Sequence, residues 1–516
     1  MVVRLADAAL EIHVDGALRL DSDAAELHAD GALEALFVPA GEEILVDRQD
    51  DMGPSSLEVR LCWSRLARDA SPRRRGKHEV GPALEARMVG VFDERIAVIG
   101  SGMAGLTVAW ALRETGRRVT LFEGLPRRGM DAHATAVAGG GHVDAPLRVM
   151  SPDAWTCFFG LCARLGVETF AVDTGLSFSQ RDGRTTLSTG RFELAGMQLP
   201  GALRLIARRH GRIRYGLAKL AFETKRGLPP DSVSLGELMA ARDFDREFVD
   251  GFLLPVLSTI CTCDAAVLRR WPARNILPLL HTILYGRRSQ RVRGGVRSLV
   301  DKLVADVAAH ANPVELRAGE PVLTVVPDDT GVRVATASHS DHFDRVVVAT
   351  QANQTRFLDG TAYGREHALL ARFPYVEGEL VTHHDRRFMP TRRADWAPIN
   401  YLRGHREDAT HDSDTMWTVW LNPVEPSLAH SPATFQSWQP LFAPLPESVV
   451  ARVTLQRAVV TSDSLRALLA LFDLHGEADR RVFFCGSYAA PGVPLLESAV
   501  RSAISVAHRV APLHRS

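Results

Sequence analysis

A chain of 516 residues is too long for one simple core and predicts two or three packed units. Its 61 basic residues are matched by 61 acidic ones, so no overall basic field argues for a nucleic-acid partner. Hydrophobic content of 46% and charged content of 24% are those of a soluble globular protein, and no apolar run approaches the roughly 20 residues of a membrane span. The N-terminus has no charged region followed by an apolar core, so no signal peptide is expected and the location is expected to be cytoplasmic. Cysteines at 62, 157, 162, 261, 263 and 485 have neither zinc-type spacing nor the pattern of a disulfide framework, so no metal site is expected. Cys261-Thr-Cys263 is a possible redox pair, but its apolar setting favours plain burial.

The first 88 residues read as an appended extension of unknown role. Ala9–Val14 and Ala32–Pro39 alternate as short strands, acids dominate as far as Glu58, and Ser71–Pro82 (SPRRRGKHEVGP) reads as a solvated basic linker. The informative stretch follows at Arg95–Glu123, RIAVIGSGMAGLTVAWALRETGRRVTLFE. An apolar strand runs into Gly100-x-Gly102-x-x-Gly105, then an amphipathic helix, then a second strand ending in Glu123. Gly100 permits the tight turn, Gly102 lets backbone approach a pyrophosphate, and Gly105 lets helix and strand pack closely. The helix N-terminus favours the anion, and Glu123 stands where a ribose hydroxyl is held.

Beyond a Gly-rich passage (Leu125–Met150), Trp155, Phe158, Phe159, Cys162 and Leu165 fall at helical spacing and mark a buried face. Leu176–Gln180 and Thr185–Ser188 read as antiparallel strands. Residues 200–285 read as mostly helical, broken at Pro229-Pro230. Within them 203–225 is basic and amphipathic, through Arg204, Arg208, Arg209, Arg212, Arg214 and Lys219. Such a helix is either a solvated face or a peripheral contact with an anionic membrane. Gly294-Gly295 opens a helix; strands at Val314–Leu316, Val322–Val326 and Val332–Ala335 follow, and Asp344–Ala349 completes a β-rich unit. A region with Trp396, Trp417 and Trp420 comes next. The chain closes on a second strand, glycine turn and long helix, RRVFFCGSYAAPGVPLLESAVRSAISVAHRV. Two distant glycine turns facing one long ligand suit an extended FAD better than a nicotinamide cofactor, whose domain is usually continuous.

These pieces, with RRGMDAHA, Arg291–Leu303 and Arg345–Gln354, resemble the FAD-dependent amine oxidase and phytoene desaturase superfamily from about Val91 to Val510. Glu379–Tyr401 (ELVTHHDRRFMPTRRADWAPINY) is similar to a subgroup of predicted NAD/FAD-binding oxidoreductases. The resemblance implies an α/β fold: a discontinuous Rossmann-like FAD-binding domain (89–180, 289–355, 469–516), an α+β substrate domain (181–288, 356–468) and the N-terminal extension (1–88). It implies that Gly100, Gly102, Met103, Ala104 and Gly105 surround the pyrophosphate, and that Glu123 and Gly124 meet the adenosine ribose. Arg128 and Gly129 would lie beside the flavin phosphates, and Val322 would meet adenine through its backbone. Gly486 and Ser487 would approach from the other side, and Pro494 and Leu495 would lead a helix whose N-terminus faces the flavin ring. Glu497 would hydrogen-bond the ribityl or phosphate end. Two departures stand out. Met130 replaces a family glycine and would narrow access to the phosphates, and Pro146 replaces another.

Flavins carry hydride chemistry themselves, so the protein supplies binding and orientation. Substrate-side candidates are Trp396, Asn400 and Tyr401, an aromatic wall with one polar group, read against plain structural roles. His383, His384 and Asp385 read more as satisfied core polars. The leading expectation is an FAD-dependent oxidoreductase acting on a hydrophobic, lipid or isoprenoid-like substrate by dehydrogenation or double-bond rearrangement. The alternative is an amine or amino-acid oxidase, for which Arg148 or Arg297 could bind a carboxylate. A third reading is a flavin-binding partner without turnover.

Overall fold

The computed structural model describes residues 94–137, 142–189, 210–404 and 415–511, with the backbone of six further short strands. Residues 1–79 with 225–227 form one unit, and 80–224 with 228–516 the other. In the first, antiparallel strands run in the order Leu18–Leu20, Ala9–Ile12, Val2–Ala6, Ile44–Leu45. The expected strand at 32–39 and the linker at 71–82 lie outside the described residues.

The larger unit is organised by two sheets. One is wholly parallel, in the order Glu315–Ala318, Arg118–Glu123, Arg95–Ile99, Arg345–Val348, Val482–Phe484. After their first residues its strands Arg95–Ile99 and Arg345–Val348 are apolar throughout, because both faces are covered. Ile96 and Val98 enter a core with the helices Met103–Arg113, Gly295–Ala309 and Leu496–Val510. Ala97 and Ile99 enter a second core on the opposite face. The β-rich unit expected at 314–349 is therefore divided. Its first and last strands join the parallel sheet, and only Thr324–Pro327, Val332–Ala335 and Ser340–Phe343 form an antiparallel meander. An apolar run such as Val346–Val348 shows that it will be buried, not which strands will bury it.

The second sheet has seven strands, in the order Thr185–Ser188, Leu176–Gln180, Ile399–Arg403, Thr415–Trp420, Phe435–Trp438, Tyr375–His383, Val449–Ala458. Only the pairing of Leu176–Gln180 with Ile399–Arg403 is parallel. Side chains alternate between its faces. By register, Phe178, Tyr401, Trp417, Trp438, Leu380 and Leu455 share one face and pack into a core with the helical layer. That layer includes Gly211–Glu223, Leu235–Ala241, Leu254–Cys261 and Ala273–Tyr285, and Pro229-Pro230 separates the first two of these helices as expected.

Two buried histidines connect packing to pH. His475 Nε2 accepts from the Phe484 N–H at 3.0 Å, and His383 Nδ1 accepts from the Asp385 N–H at 3.2 Å. Burial, the largest cause in each case, pushes them down to about 3 and about 4. The unfolded chain, with histidine near its ordinary value of about 6.5, then binds more protons than the native one. Their stabilisation is complete above that value and is lost as pH falls toward the native pKa. Thermal unfolding should show a midpoint that drops between pH 6.5 and 4.5, with a shallower drop in His475→Gln. A midpoint independent of pH in this range would contradict the assignment.

Candidate functional site

Strand Arg95–Ile99 ends in Gly100, whose φ of +101° favours glycine. A Cβ on Gly105 would fall on the Gly100 carbonyl oxygen, so only glycine lets helix and strand approach this closely. Gly102 caps the helix Met103–Arg113 without a side-chain hydrogen bond, and no atom lies within 4 Å of where its Cβ would be. The result is a cradle of free N–H groups at the C-terminal end of a parallel strand, with no acid in the first helical turn. Met103 and Ala104 are buried in that first turn.

Glu123 ends the adjacent strand and is tied to this turn. Its carboxylate accepts from Ser101 N–H (2.9 Å), Ser101 Oγ (2.7 Å) and Leu125 N–H (2.9 Å). The Gly129 N–H donates to Ser101 Oγ at 2.6 Å, and a Cβ on Gly129 would stand 2.7 Å from Glu123 Oε2. Gly124 packs on Pro321, bringing Val322 to the same edge. The Arg128 guanidinium is held by Asp301 on helix Gly295–Ala309 at 2.6 Å. The Met130 thioether side chain is buried in the adjacent core.

Across the sheet, Gly486 follows strand Val482–Phe484. Its N–H donates to Ser502 Oγ at 3.0 Å, and that hydroxyl donates back to the Gly486 carbonyl at 2.9 Å. Ser487, Pro494 and Leu495 are half-buried, and Leu495 starts the terminal helix without a side-chain cap. Glu497 departs from its expected place beside the ribityl chain. Its two oxygens accept from Cys157 N–H (3.1 Å) and Phe158 N–H (2.8 Å), satisfying the first turn of helix Thr156–Arg164.

Segment 144–148 is held from four directions. Asp144 Oδ1 accepts from Val296 N–H at 2.9 Å, and the Ala145 N–H donates to His133 O at 2.7 Å. Gln436 accepts from Leu147 N–H and donates to Asp144 O, both at 2.8 Å. Buried Arg291 donates to Arg148 O (2.9 Å) and pairs with buried Glu425 (2.6 Å).

The structure does not bring Trp396, Asn400 and Tyr401 together. Tyr401 belongs to the helix-facing side, stacked on Phe178 at 4.4 Å with its hydroxyl 2.9 Å from Thr259 Oγ1. Asn400, its neighbour in the strand, points to the other face and bonds Ala397 and Thr418. Trp396 donates to Pro390 O at 2.7 Å and sits edge-on to Trp420 and Phe435. His383, Ser437 and Thr418 form a buried hydroxyl–imidazole chain, and Asp385 is bound by Arg387. Cys261 and Cys263 are buried thiols, both pushed up by burial. Tyr401 and Trp417 line a cavity of about 590 Å³ with Leu254, Pro255 and Ser258. Its polar edge includes Asp250, ion-paired with Arg269.

A family model described as flavin containing amine oxidoreductase matches residues 103–373, just over half of the chain. The chain belongs to this family. It is an FAD-dependent oxidoreductase, and the turn at Gly100–Gly105, the Glu123 knot and the uncapped terminal helix are the parts that suit the cofactor. Solved structures share its fold over 81% of this chain. The CLA-producing fatty acid isomerase from P. acnes matches with TM-score 0.58, 14% identity and 99% of its own chain. Cyclohexylamine oxidase from Brevibacterium oxydans IH-35A matches with TM-score 0.55 at 14% identity, and wild-type putrescine oxidase bound to putrescine with 0.53 at 16%, each over 99% of its own chain.

Sequence reasoning did not assign Ser101, His133, Glu425, Gln436 or Arg457. Arg457 had a visible signal: in strand Val449–Ala458 it follows Val453 and Leu455 in the inward alternation. Among the described residues, no group of three or more His, Cys, Asp or Glu is placed to hold a metal, and no helix is long and apolar enough to cross a membrane. Because Gly102 faces open space, Gly102→Val should leave the fold intact while blocking the cradle. FAD content per polypeptide should fall at least tenfold, with unfolding cooperativity retained. Unchanged flavin content would show that the turn does not hold the cofactor.

Proposed function

We propose that this flavoenzyme acts on a hydrophobic, acyl- or isoprenoid-like substrate, by dehydrogenation or double-bond rearrangement. The observation that carries the reading is the helix-facing side of the seven-stranded sheet. There Phe178, Tyr401, Trp417 and Trp438 form a continuous row, extended by Phe252 stacked on Phe178 at 5.3 Å. Such a wall binds apolar chain by area and shape. The fatty acid isomerase likeness agrees with it, since the same fold there handles a long acyl chain. Bound FAD would supply the hydride-accepting chemistry. The aromatic wall would orient the substrate and exclude water. Amine oxidation is the second reading, favoured by the likeness to putrescine and cyclohexylamine oxidases.

Anaerobic mixing of the yellow holoenzyme with unsaturated acyl or isoprenoid compounds should bleach the flavin or change their double bonds, whereas primary amines should leave both unaltered. Bleaching by amines alone would establish the second reading.

We also propose that helix Gly211–Glu223 touches anionic membrane. Residues 203–209 of the basic segment lie outside the described residues. Within the helix, Tyr215 and Phe222 are 65% and 64% exposed and seven residues apart, with Lys219 between them on the same face. Arg212 on this face is partly engaged by Glu247 at 3.0 Å. Exposed aromatics beside lysine suit the boundary of a lipid surface. Combined Tyr215→Ser and Phe222→Ser should reduce co-sedimentation with phosphatidylserine vesicles severalfold. Equal sedimentation would leave this face simply solvated.

A further inference from the structure

Ser101 occupies the first position between the glycines of the turn, where backbone alone suffices to approach a phosphate. Its side chain is nevertheless fully buried and bonded on both sides. The hydroxyl accepts from the Gly129 N–H at 2.6 Å and donates to Glu123 Oε2 at 2.7 Å. Those partners fix its single proton, because the amide can only donate and the carboxylate oxygen can only accept. The Ser101 N–H reaches the same Oε2 at 2.9 Å, so this oxygen is held at two points. Oε1 accepts from the Leu125 N–H at 2.9 Å and, with its second lone pair, can take a further donor.

The turn that Ser101 reaches lies directly against the cradle. A Cβ on Gly129 would stand 3.4 Å from the Gly102 nitrogen as well as 2.7 Å from Glu123 Oε2, so glycine there lets the segments touch. Arg128 is thereby held at both ends. Its backbone adjoins the Ser101 bond, and its guanidinium is bound by Asp301 on helix Gly295–Ala309 at 2.6 Å. One hydroxyl therefore joins the glycine turn to groups 22 and 28 residues away in the chain. Hydrogen bonds in series that end on a carboxylate strengthen one another. Removing this hydroxyl would strip Gly129 N–H and Glu123 Oε2 of a shared partner in a place closed to solvent.

We propose that the side chain of Ser101 is a positioning element for FAD, coupling two contacts that the cofactor needs at once. It joins Glu123, whose remaining lone pair receives a ribose hydroxyl, to the Arg128–Gly129 turn, whose guanidinium serves the pyrophosphate. The hydroxyl proton is spent inside the protein, so Ser101 Oγ acts through its neighbours. A hydroxyl that donates to Oε1 draws on the same carboxylate that orders the turn, so each contact depends on the other. Ordering both before the ligand arrives raises affinity, because binding no longer bears the cost of fixing them. The inference concerns the cofactor alone and holds whichever substrate the enzyme takes.

The test measures FAD retention by the full-length holoenzyme on dilution, and the affinity of the stripped protein for FAD and for ADP. Ser101→Ala should weaken FAD about tenfold, as loss of a hydrogen bond to a charged group does. ADP, which carries the ribose and pyrophosphate but no flavin, should weaken by the same factor. Glu123→Gln and Arg128→Ala should each weaken FAD as well. With Ser101 present, their combined loss should fall short of the product of the single losses by about fivefold. In the Ser101→Ala background the two losses should simply multiply. Unchanged FAD affinity with a lowered unfolding temperature would overturn the proposal, since the hydroxyl would then be merely structural. So would a loss of FAD binding that spares ADP, or losses that multiply while Ser101 is in place.

Discussion

The hydrogen bonds of Arg291 hold the two halves of the site in register. This guanidinium is fully buried and reaches Glu425 from one remote segment and the Arg148 carbonyl from another. Replacing such a pair by apolar groups often costs little, but removing one partner typically costs about 3–5 kcal/mol, because the survivor is left charged and dry. Its value is positional. Arg291 lies in a short strand just before the Gly294-Gly295 helix start, whose Val296 N–H binds Asp144. One buried charge therefore ties the helix that covers the parallel sheet to the segment that carries Arg148.

Around that tie the larger unit divides its work between two sheets. The parallel sheet offers strand ends and an uncapped helix terminus, which favour a negatively charged ligand without needing a side chain. The mixed sheet offers a face of aromatic rings whose stacking keeps them rigid. Solved structures of this fold include amine oxidases and a fatty acid isomerase, so the fold alone does not name a substrate.

Legibility in the sequence followed the range of the forces involved. The meaning of Gly100 and Gly105 is steric and local: one takes a positive φ and the other allows a close approach within one strand–turn–helix, and the structure places both as that logic requires. The region at 380–420 was opaque for the opposite reason. Asn400 and Tyr401 are consecutive, and alternation alone sends them to opposite faces, but it does not say which face meets the helices. Met130 and Glu497 make the same point. A thioether at a family glycine turned into the core, and an acid in the first turn of the terminal helix was used by a neighbouring helix.

By itself the sequence determined the dinucleotide turn, its terminal acid and the cofactor class, because backbone geometry between Gly100 and Glu123 admits few alternatives. Only the tertiary structure decided that Glu425 serves Arg291, and that the same guanidinium also reaches the Arg148 carbonyl. These groups come from segments more than a hundred residues apart and meet only once both sheets are packed. A local pattern cannot encode such a pairing, because each partner is supplied by an element remote in the chain.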